Sequence, residues 1–244
     1  MTYQAIFKRY EIKYILTKAQ KEILLKAMAP HMTLDEYGRT TIRNIYFDTE
    51  NYRLIRRSIE KPAYKEKLRI RSYSQASPES PVFIEIKKKF DSVVYKRRLS
   101  MPESSAMAWI CEEGAEIPST LPKGTSVFQI AKEIDYFKDF YRGLRPTVFL
   151  SYEREAFYSN DGSDFRVTFD DHILCRQERF SLTEPPGGTS ILEDDKVLME
   201  IKTGGGIPLW MTNVLTQEHI YKTSFSKYGT AYQTIIYPQM KGNE

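Results

Sequence analysis

The chain has 244 residues, of which 41% are hydrophobic and 28% charged, enough apolar material for a core of ordinary globular size. A formal net charge of +4 is too small to announce a polyanionic partner by composition alone. Two cysteines, Cys111 and Cys175, exclude a disulfide framework or a zinc knuckle, and no apolar run reaches the roughly 18 residues of a membrane-spanning helix. The opening Met1–Lys8 lacks the apolar centre of a secretory leader, so the expectation is a single soluble, cytoplasmic domain over 1–244 with no membrane segment.

Phe7–Ile15 alternates, placing Arg9, Glu11 and Lys13 on one face and Tyr10, Ile12 and Tyr14 on the other. Thr17 and Gln20 form a capping-box pattern that opens a helix whose apolar stripe is Ile23, Leu24 and Ala27, with Pro30 beyond its end. Thr41–Asp48 is a second strand, and Asn51–Ser58 reads as a short basic helix. Lys65–Tyr73 puts Lys65, Lys67, Arg69 and Arg71 on one face, where like charges repel unless something anionic lies against them. After a Ser/Pro-rich loop, Val82–Lys88 alternates Glu85 and Lys87 with Val82, Ile84 and Ile86. A tight turn at Asp91-Ser92 leads to Val93–Leu99, with Lys96 and Arg98 on one face.

Helical stretches follow at Ser104–Glu113 and from Val127 to Tyr141, the second with apolar residues at helical spacing. Thr147–Phe157 carries Tyr152 and Arg154 on one face, and Phe165–Asp171 carries Arg166, Thr168 and Asp170. Lys196–Lys202 repeats the pattern of Glu85, with Glu200 and Lys202 alternating with Val197, Met199 and Ile201. Gly204-Gly-Gly206 lacks the context of a phosphate-binding loop and reads as a connector to closing helices at Ile207–Gln217 and Lys227–Tyr237.

These are eight strands, and their charged faces gather ten cations, namely Lys13, Lys67, Arg69, Arg71, Lys87, Lys96, Arg98, Arg154, Arg166 and Lys202. Four carboxylates stand against them, namely Glu11, Glu85, Asp170 and Glu200, so positive charge is concentrated on one surface. Eight strands close into a barrel whose interior fits side chains or one small ligand. Helices need the apolar faces to pack on, so the predicted fold is α+β, an eight-stranded antiparallel β-barrel with helices outside and the charged faces inside. Such an interior requires a polyanion, because unpaired buried charge is costly. Arg forks suit phosphate oxygens, and Glu200, Glu85 and Glu11 among them suggest a hard ion, Mg2+ or Mn2+. The same carboxylates also read as salt-bridge partners of their neighbours. Too few aromatics face the cations for a nucleic-acid channel.

The ordered motifs Tyr10-Glu-Ile-Lys-Tyr14, Asn44-Ile-Tyr-Phe-Asp48, Lys67-Leu-Arg-Ile-Arg71, Glu85-Ile-Lys87, Tyr152-Glu-Arg154, Glu200-Ile-Lys202 and Ser226-Lys-Tyr228 resemble the VTC domain, the polyphosphate polymerase branch of the CYTH-like triphosphate tunnel metalloenzymes. The resemblance implies transfer of the γ-phosphoryl group of ATP to a growing polyphosphate chain inside a tunnel. It makes Lys13, Arg69, Arg71, Lys87, Arg154 and Lys227 the reacting-phosphate contacts. Lys67, Lys96, Arg98, Tyr152, Arg166, Lys202 and Ser226 would be further substrate contacts, and Glu200 the metal ligand, with Glu85 and Glu11 beside it. Hydrolytic relatives open with Glu-x-Glu-x-Lys, where this chain has Arg9 at the first position. That difference argues against a second carboxylate metal site and favours polymer synthesis over triphosphate hydrolysis; a metal-dependent triphosphate hydrolase and a non-catalytic polyphosphate-binding module are the alternative readings. ATP and inorganic polyphosphate are the expected partners.

Overall fold

The computed structural model describes residues 10–91 and 93–242. Arg9, the first residues of the strand predicted from Phe7, and Ser92 of the predicted turn lie outside the described residues. The strands are β1 (Tyr10–Thr17), β2 (Met32–Leu34), β3 (Thr40–Asp48), β4 (Tyr64–Ser72), β5 (Pro81–Phe90), β6 (Val93–Pro102), β7 (Arg145–Ser159), β8 (Arg166–Arg176), β9 (Thr189–Ser190), β10 (Lys196–Thr203) and β11 (Lys222–Thr223). The helices are α1 (Lys18–Met28), α2 (Arg53–Ile59), α3 (Glu103–Cys111), α4 (Ser126–Phe140), α5 (Leu209–Gln217), α6 (Lys227–Ala231) and α7 (Tyr237–Gly242), the last two joined by a π-helical turn at Tyr232–Ile236.

Each of the eight strands expected from alternation is present, and three short strands, β2, β9 and β11, bring the sheet to eleven. Pairing runs in the order β11-β1-β10-β8-β7-β3-β4-β5-β6, with β2 on β7 and β9 on β8. This pairing is an open path and does not itself close the expected eight-stranded barrel. The chain divides into two compact units, each with its own core.

The first unit comprises Met1–Thr41, Tyr152–Ile173 and Ser190–Ser226. Tyr14 and Leu16 of β1, Val167 and Phe169 of β8, and Val197, Met199 and Ile201 of β10 form one apolar face. Leu24 and Met28 of α1 and Met211 and Leu215 of α5 share the same core. The Thr17 hydroxyl accepts the Gln20 amide at 3.1 Å while the Gln20 side chain accepts the Thr17 amide at 2.9 Å, completing the predicted capping box. Such a cap contributes about 1 kcal/mol.

The second unit comprises Ile42–Ser151, Leu174–Thr189 and Lys227–Glu244. Its core joins Ile45 and Phe47 of β3, Leu68 and Ile70 of β4, Ile84 and Ile86 of β5 and Leu99 of β6 to Trp109 of α3 and Ala131, Ile134 and Phe137 of α4. Helices therefore cover the apolar face of this sheet, and the opposite face carries the charges. Phe90 pairs with Val93, so β5 and β6 are joined by a two-residue connection. Gly188 has φ +121, and a Cβ there would meet the Cys175 carbonyl oxygen at 2.1 Å, so only glycine fits.

The pattern of the sequence ends the closing helix at Tyr237. It instead continues as α7 through the π turn. In a regular helix the Pro238 ring would crowd the Thr234 carbonyl, and the wider turn around Thr234 accommodates it.

Candidate functional site

Two clusters of charge form on the strands, one in each unit, and each is centred on a buried glutamate from the two Glu-x-Lys strands. In the second unit the register places Arg69 opposite Glu85 and Glu85 opposite Arg98. Glu85 is 1% exposed. Arg69 donates from Nε at 2.8 Å to Oε2, and its second nitrogen lies 2.7 Å from the same oxygen. On Oε1, Arg98 Nε donates at 2.7 Å and Lys96 Nζ lies at 2.7 Å, while Arg71 Nε stands 4.0 Å from Oε2. Burial would push the Glu85 carboxyl up, but Arg69, Arg71 and Lys96 outweigh it and hold the group well below the usual carboxylate range.

The arginines are braced from behind. Arg71 donates to Asn44 Oδ1 at 2.9 Å, and Asn44 in turn donates to the Leu150 carbonyl at 3.2 Å. Arg69 donates to the Tyr46 hydroxyl at 2.9 Å, and Arg98 stacks 4.4 Å over the Phe83 ring. Two residues along the strands a second row of cations follows, Lys67 opposite Lys87 and Lys87 opposite Lys96. Lys67 lies 5.9 Å over the Tyr228 ring. Burial lowers Lys96 despite Glu85.

Tyr228, just inside α6, is fixed by a buried network. Its hydroxyl donates to Asp48 Oδ2 at 2.9 Å, and Asp48 also accepts the backbone amides of Thr49, Leu54 and Ile55. Asp48 thus anchors the start of α2, while Tyr52 beside it adopts a left-handed conformation. Lys227 opens α6 and is half-buried, as is Ser226 immediately before it.

In the first unit Glu200 is 6% exposed and pairs directly with Lys13 of β1. Lys13 Nζ lies 3.3 Å from Glu200 Oε1 and 3.4 Å from Glu11 Oε1, and donates to the Phe225 carbonyl at 2.9 Å. Lys202 and Arg154 each stand 3.6 Å from Glu200 Oε2. Arg154 is held by a two-pronged contact to Asp170, at 2.6 and 2.7 Å, and lies 5.2 Å over the Tyr152 ring. Burial would lower the Arg154 guanidinium, but Asp170 raises it well above its ordinary value, and it is permanently charged. Burial lowers Lys202 in spite of Glu200. Arg166 is exposed and lies 4.6 Å over the Tyr158 ring.

Thus Lys13, Glu11, Glu200, Arg154 and Lys202 converge in one unit, and Arg69, Arg71, Lys96, Arg98 and Glu85 converge in the other. The sequence reading did not include Arg39, which binds Glu153, Glu155 and Asp171 beside His172. Glu153, Asp171 and His172 bring three ligand atoms within 4.8 Å of one another, but the Arg39 guanidinium already serves as their cation. A groove of about 460 Å³ in the second unit is lined by Arg56, Ile59, Glu60, Tyr232, Gln233 and Tyr237, and includes no residue of the Glu85 cluster. No helix among the described residues is long and apolar enough to cross a membrane.

Solved structures with the same fold include a candidate adenylate cyclase from Bacillus halodurans, at 16% identity and a TM-score of 0.51, covering 88% of this chain and 92% of that one. A second is a candidate adenylyl cyclase from Hippeastrum with a dominant triphosphatase activity, at 14% identity and a TM-score of 0.50, covering 92% of this chain and 94% of that one. No curated protein matches the chain. The alternating strands, their paired Glu-x-Lys devices and the Tyr-Glu-Arg and Ser-Lys-Tyr segments lie within residues 8–236, which match the VTC domain along their whole length, and the chain belongs to the VTC domain family.

Proposed function

We propose that this chain is a polyphosphate polymerase, transferring the γ-phosphoryl group of ATP to the end of an inorganic polyphosphate chain, with its eight long strands as the wall of a triphosphate tunnel. The observation that carries the reading is the set of four cations, Arg69, Arg71, Lys96 and Arg98, gathered around the single carboxylate of Glu85. The set keeps an excess of positive charge, and its guanidinium groups are already oriented, as recognition of a phosphate chain requires. Membership of the VTC domain family supports the same reading.

In the proposed reaction a terminal phosphate oxygen of the polymer attacks the γ-phosphorus, the bond from that phosphorus to the β-bridging oxygen breaks, and ADP leaves with the electron pair. The acceptor oxygen is already ionised, so no side chain is asked to remove a proton. Phosphoryl transfer of this kind depends on positioning and charge stabilisation. Lys13, Arg69, Arg71, Lys87, Arg154 and Lys227 would neutralise phosphoryl oxygens. Lys67, Lys96, Arg98, Arg166 and Lys202 would hold the remaining phosphates, aided by Tyr152 and Ser226.

A divalent ion, Mg2+ or Mn2+, would be held by Glu200 with Glu11, because Lys13, Arg154 and Lys202 stand 3.3–3.6 Å from the Glu200 oxygens, farther than the 2.7–2.8 Å contacts that occupy Glu85. Glu85 fits such an ion poorly, since both its oxygens are taken by Arg and Lys. We assign it instead to ordering the arginines. When bound, the ion would supply positive charge that offsets the charge developing on the leaving diphosphate.

The test is incubation of the purified protein with γ-labelled ATP and Mn2+ or Mg2+, followed by separation of polymer from orthophosphate. Label in polymer is expected. Label in orthophosphate alone would make the chain a triphosphate hydrolase, and tight polyphosphate binding without either product would make it a binding module.

A further inference from the structure

Four buried side-chain atoms lack a hydrogen-bond partner among the described residues, Arg43 Nε, Trp109 Nε1, Ser151 Oγ and Thr168 Oγ1. Thr168 is distinguished by its place in the sheet, because β8 sets it directly opposite Glu200 of β10. Directly opposed residues of an antiparallel pair carry their Cβ atoms about 4.5–5.5 Å apart on the same face. Glu200 is in turn opposite Lys13, so Lys13, Glu200 and Thr168 form one row across three strands.

The matching row of the second unit is Arg69, Glu85 and Arg98. There a guanidinium occupies the third position and shares in saturating the glutamate. In the first unit the third position is the neutral hydroxyl of Thr168, a residue 7% exposed, and that oxygen is buried with no partner among the described residues. Buried hydroxyls are nearly always satisfied, because water no longer offsets the loss of a hydrogen bond. An orphaned one beside a carboxylate is suited to a group that arrives from outside. Hard divalent ions accept that chemistry: they take neutral oxygens together with carboxylates, and Ser or Thr hydroxyls serve this purpose in phosphate-transferring sites.

We propose that Thr168 Oγ1 and Glu200 together form the oxygen site for the divalent ion that accompanies the triphosphate. The proposal rests on the reading of Glu200 as the metal carboxylate. Thr168 gives the first unit its metal preference, while Arg98 at the corresponding position makes the second unit a purely cationic phosphate clamp.

The test is titration of the full chain with Mn2+ in the absence of nucleotide, following the free Mn2+ signal by electron paramagnetic resonance. Thr168→Val removes the hydroxyl at nearly constant volume and is expected to weaken Mn2+ binding about tenfold, the scale of losses at supporting groups of metal sites. Thr168→Ser should bind like the unmodified protein, and Glu200→Gln should abolish binding. Without metal, Thr168→Val should melt at the same or a higher temperature, since it discards an unpartnered hydroxyl. Unchanged Mn2+ affinity in Thr168→Val, with loss in Glu200→Gln, overturns the role of Thr168 and leaves that of Glu200. Unchanged affinity in Glu200→Gln overturns the underlying reading. A lower metal-free melting temperature for Thr168→Val, rescued by Ser, would mean that the hydroxyl is structural and would also overturn the proposal.

Discussion

Arg69 and Arg98 lie on strands separated by β5, yet their guanidinium groups grip opposite oxygens of one carboxylate, Arg69 on Oε2 and Arg98 on Oε1 of Glu85. A single buried acid therefore sets the distance between two arginines that cross-strand register alone would leave adjustable. The arrangement costs desolvation of several charges, and that cost is recovered only while all partners stay in place. Glu85 is the fixed point of this cationic cluster.

Glu85→Gln should therefore destabilise the protein by about 3–5 kcal/mol at neutral pH, the scale for breaking a buried ion pair. The pH dependence follows from the direction of the shift. The folded-state carboxyl is held below its unfolded value, so its contribution is complete above about pH 4.3 and is lost progressively as pH falls toward the folded value. Thermal melts of both proteins from pH 7 down to pH 3 should show the gap narrowing only at the acid end. A gap that widens on acidification would contradict this account.

Arg69→Ala tests the same cluster from the cationic side. The stacked Lys65, Lys67, Arg69 and Arg71 imply repulsion when β4 is considered alone, and truncation would then stabilise the free protein. With Glu85 between the arginines, truncation instead removes an ion pair from a buried acid and a hydrogen bond from Tyr46. The variant should melt lower by the equivalent of about 1–3 kcal/mol and bind ATP more weakly. A higher melting temperature would show that repulsion dominates.

The strands were legible because period-two alternation places Arg69 and Leu68, or Glu200 and Ile201, on opposite faces whatever lies beside them. Thr17 and Gln20 similarly announced α1 through contacts three residues apart. What one strand cannot convey is its neighbour's register. The metal reading of Glu85 came from counting acids among cations, whereas its role depends on Arg69 and Arg98 flanking it across two strand pairs. Arg39 escaped notice for a related reason, since its partners Glu153, Asp171 and His172 lie 114 to 133 residues away along the chain. Strands of two residues, such as β9 and β11, carry no period to read.

Tyr228→Phe probes the link between α6 and α2. The change deletes the donor to Asp48 and leaves that buried carboxylate with its three backbone amides. A loss of about 1.5–3 kcal/mol is expected, the range for hydrogen bonds to charged groups. Burial already pushes the Asp48 carboxyl up, and losing the Tyr228 donor should push it further, so the variant should lose less stability than expected once Asp48 is protonated in mild acid. Equal melting temperatures at neutral pH would show that the hydroxyl contributes nothing to the anchor.

Asp170→Asn addresses the first unit. Asp170 is fully buried and takes both prongs of Arg154, while Arg154 also stands 3.6 Å from Glu200. Asparagine keeps one acceptor but turns an amide donor toward a guanidinium nitrogen, so one hydrogen bond is lost and the Arg154 charge loses its main partner. The Glu200 contact remains, which places the expected loss near the lower end for a broken buried pair, about 3 kcal/mol, or roughly 6–12 °C in melting temperature for a domain of this size. A triphosphate carries the negative charge that the variant lacks. If Arg154 contacts phosphate, saturating ATP should therefore raise the melting temperature of Asp170→Asn by more than it raises that of the unmodified protein, because the ligand restores a partner that the unmodified protein already has. Equal ATP-induced shifts, with the ATP-free loss present, would mean that Arg154 is a structural partner of Asp170 and Glu200 and takes no part in holding the nucleotide.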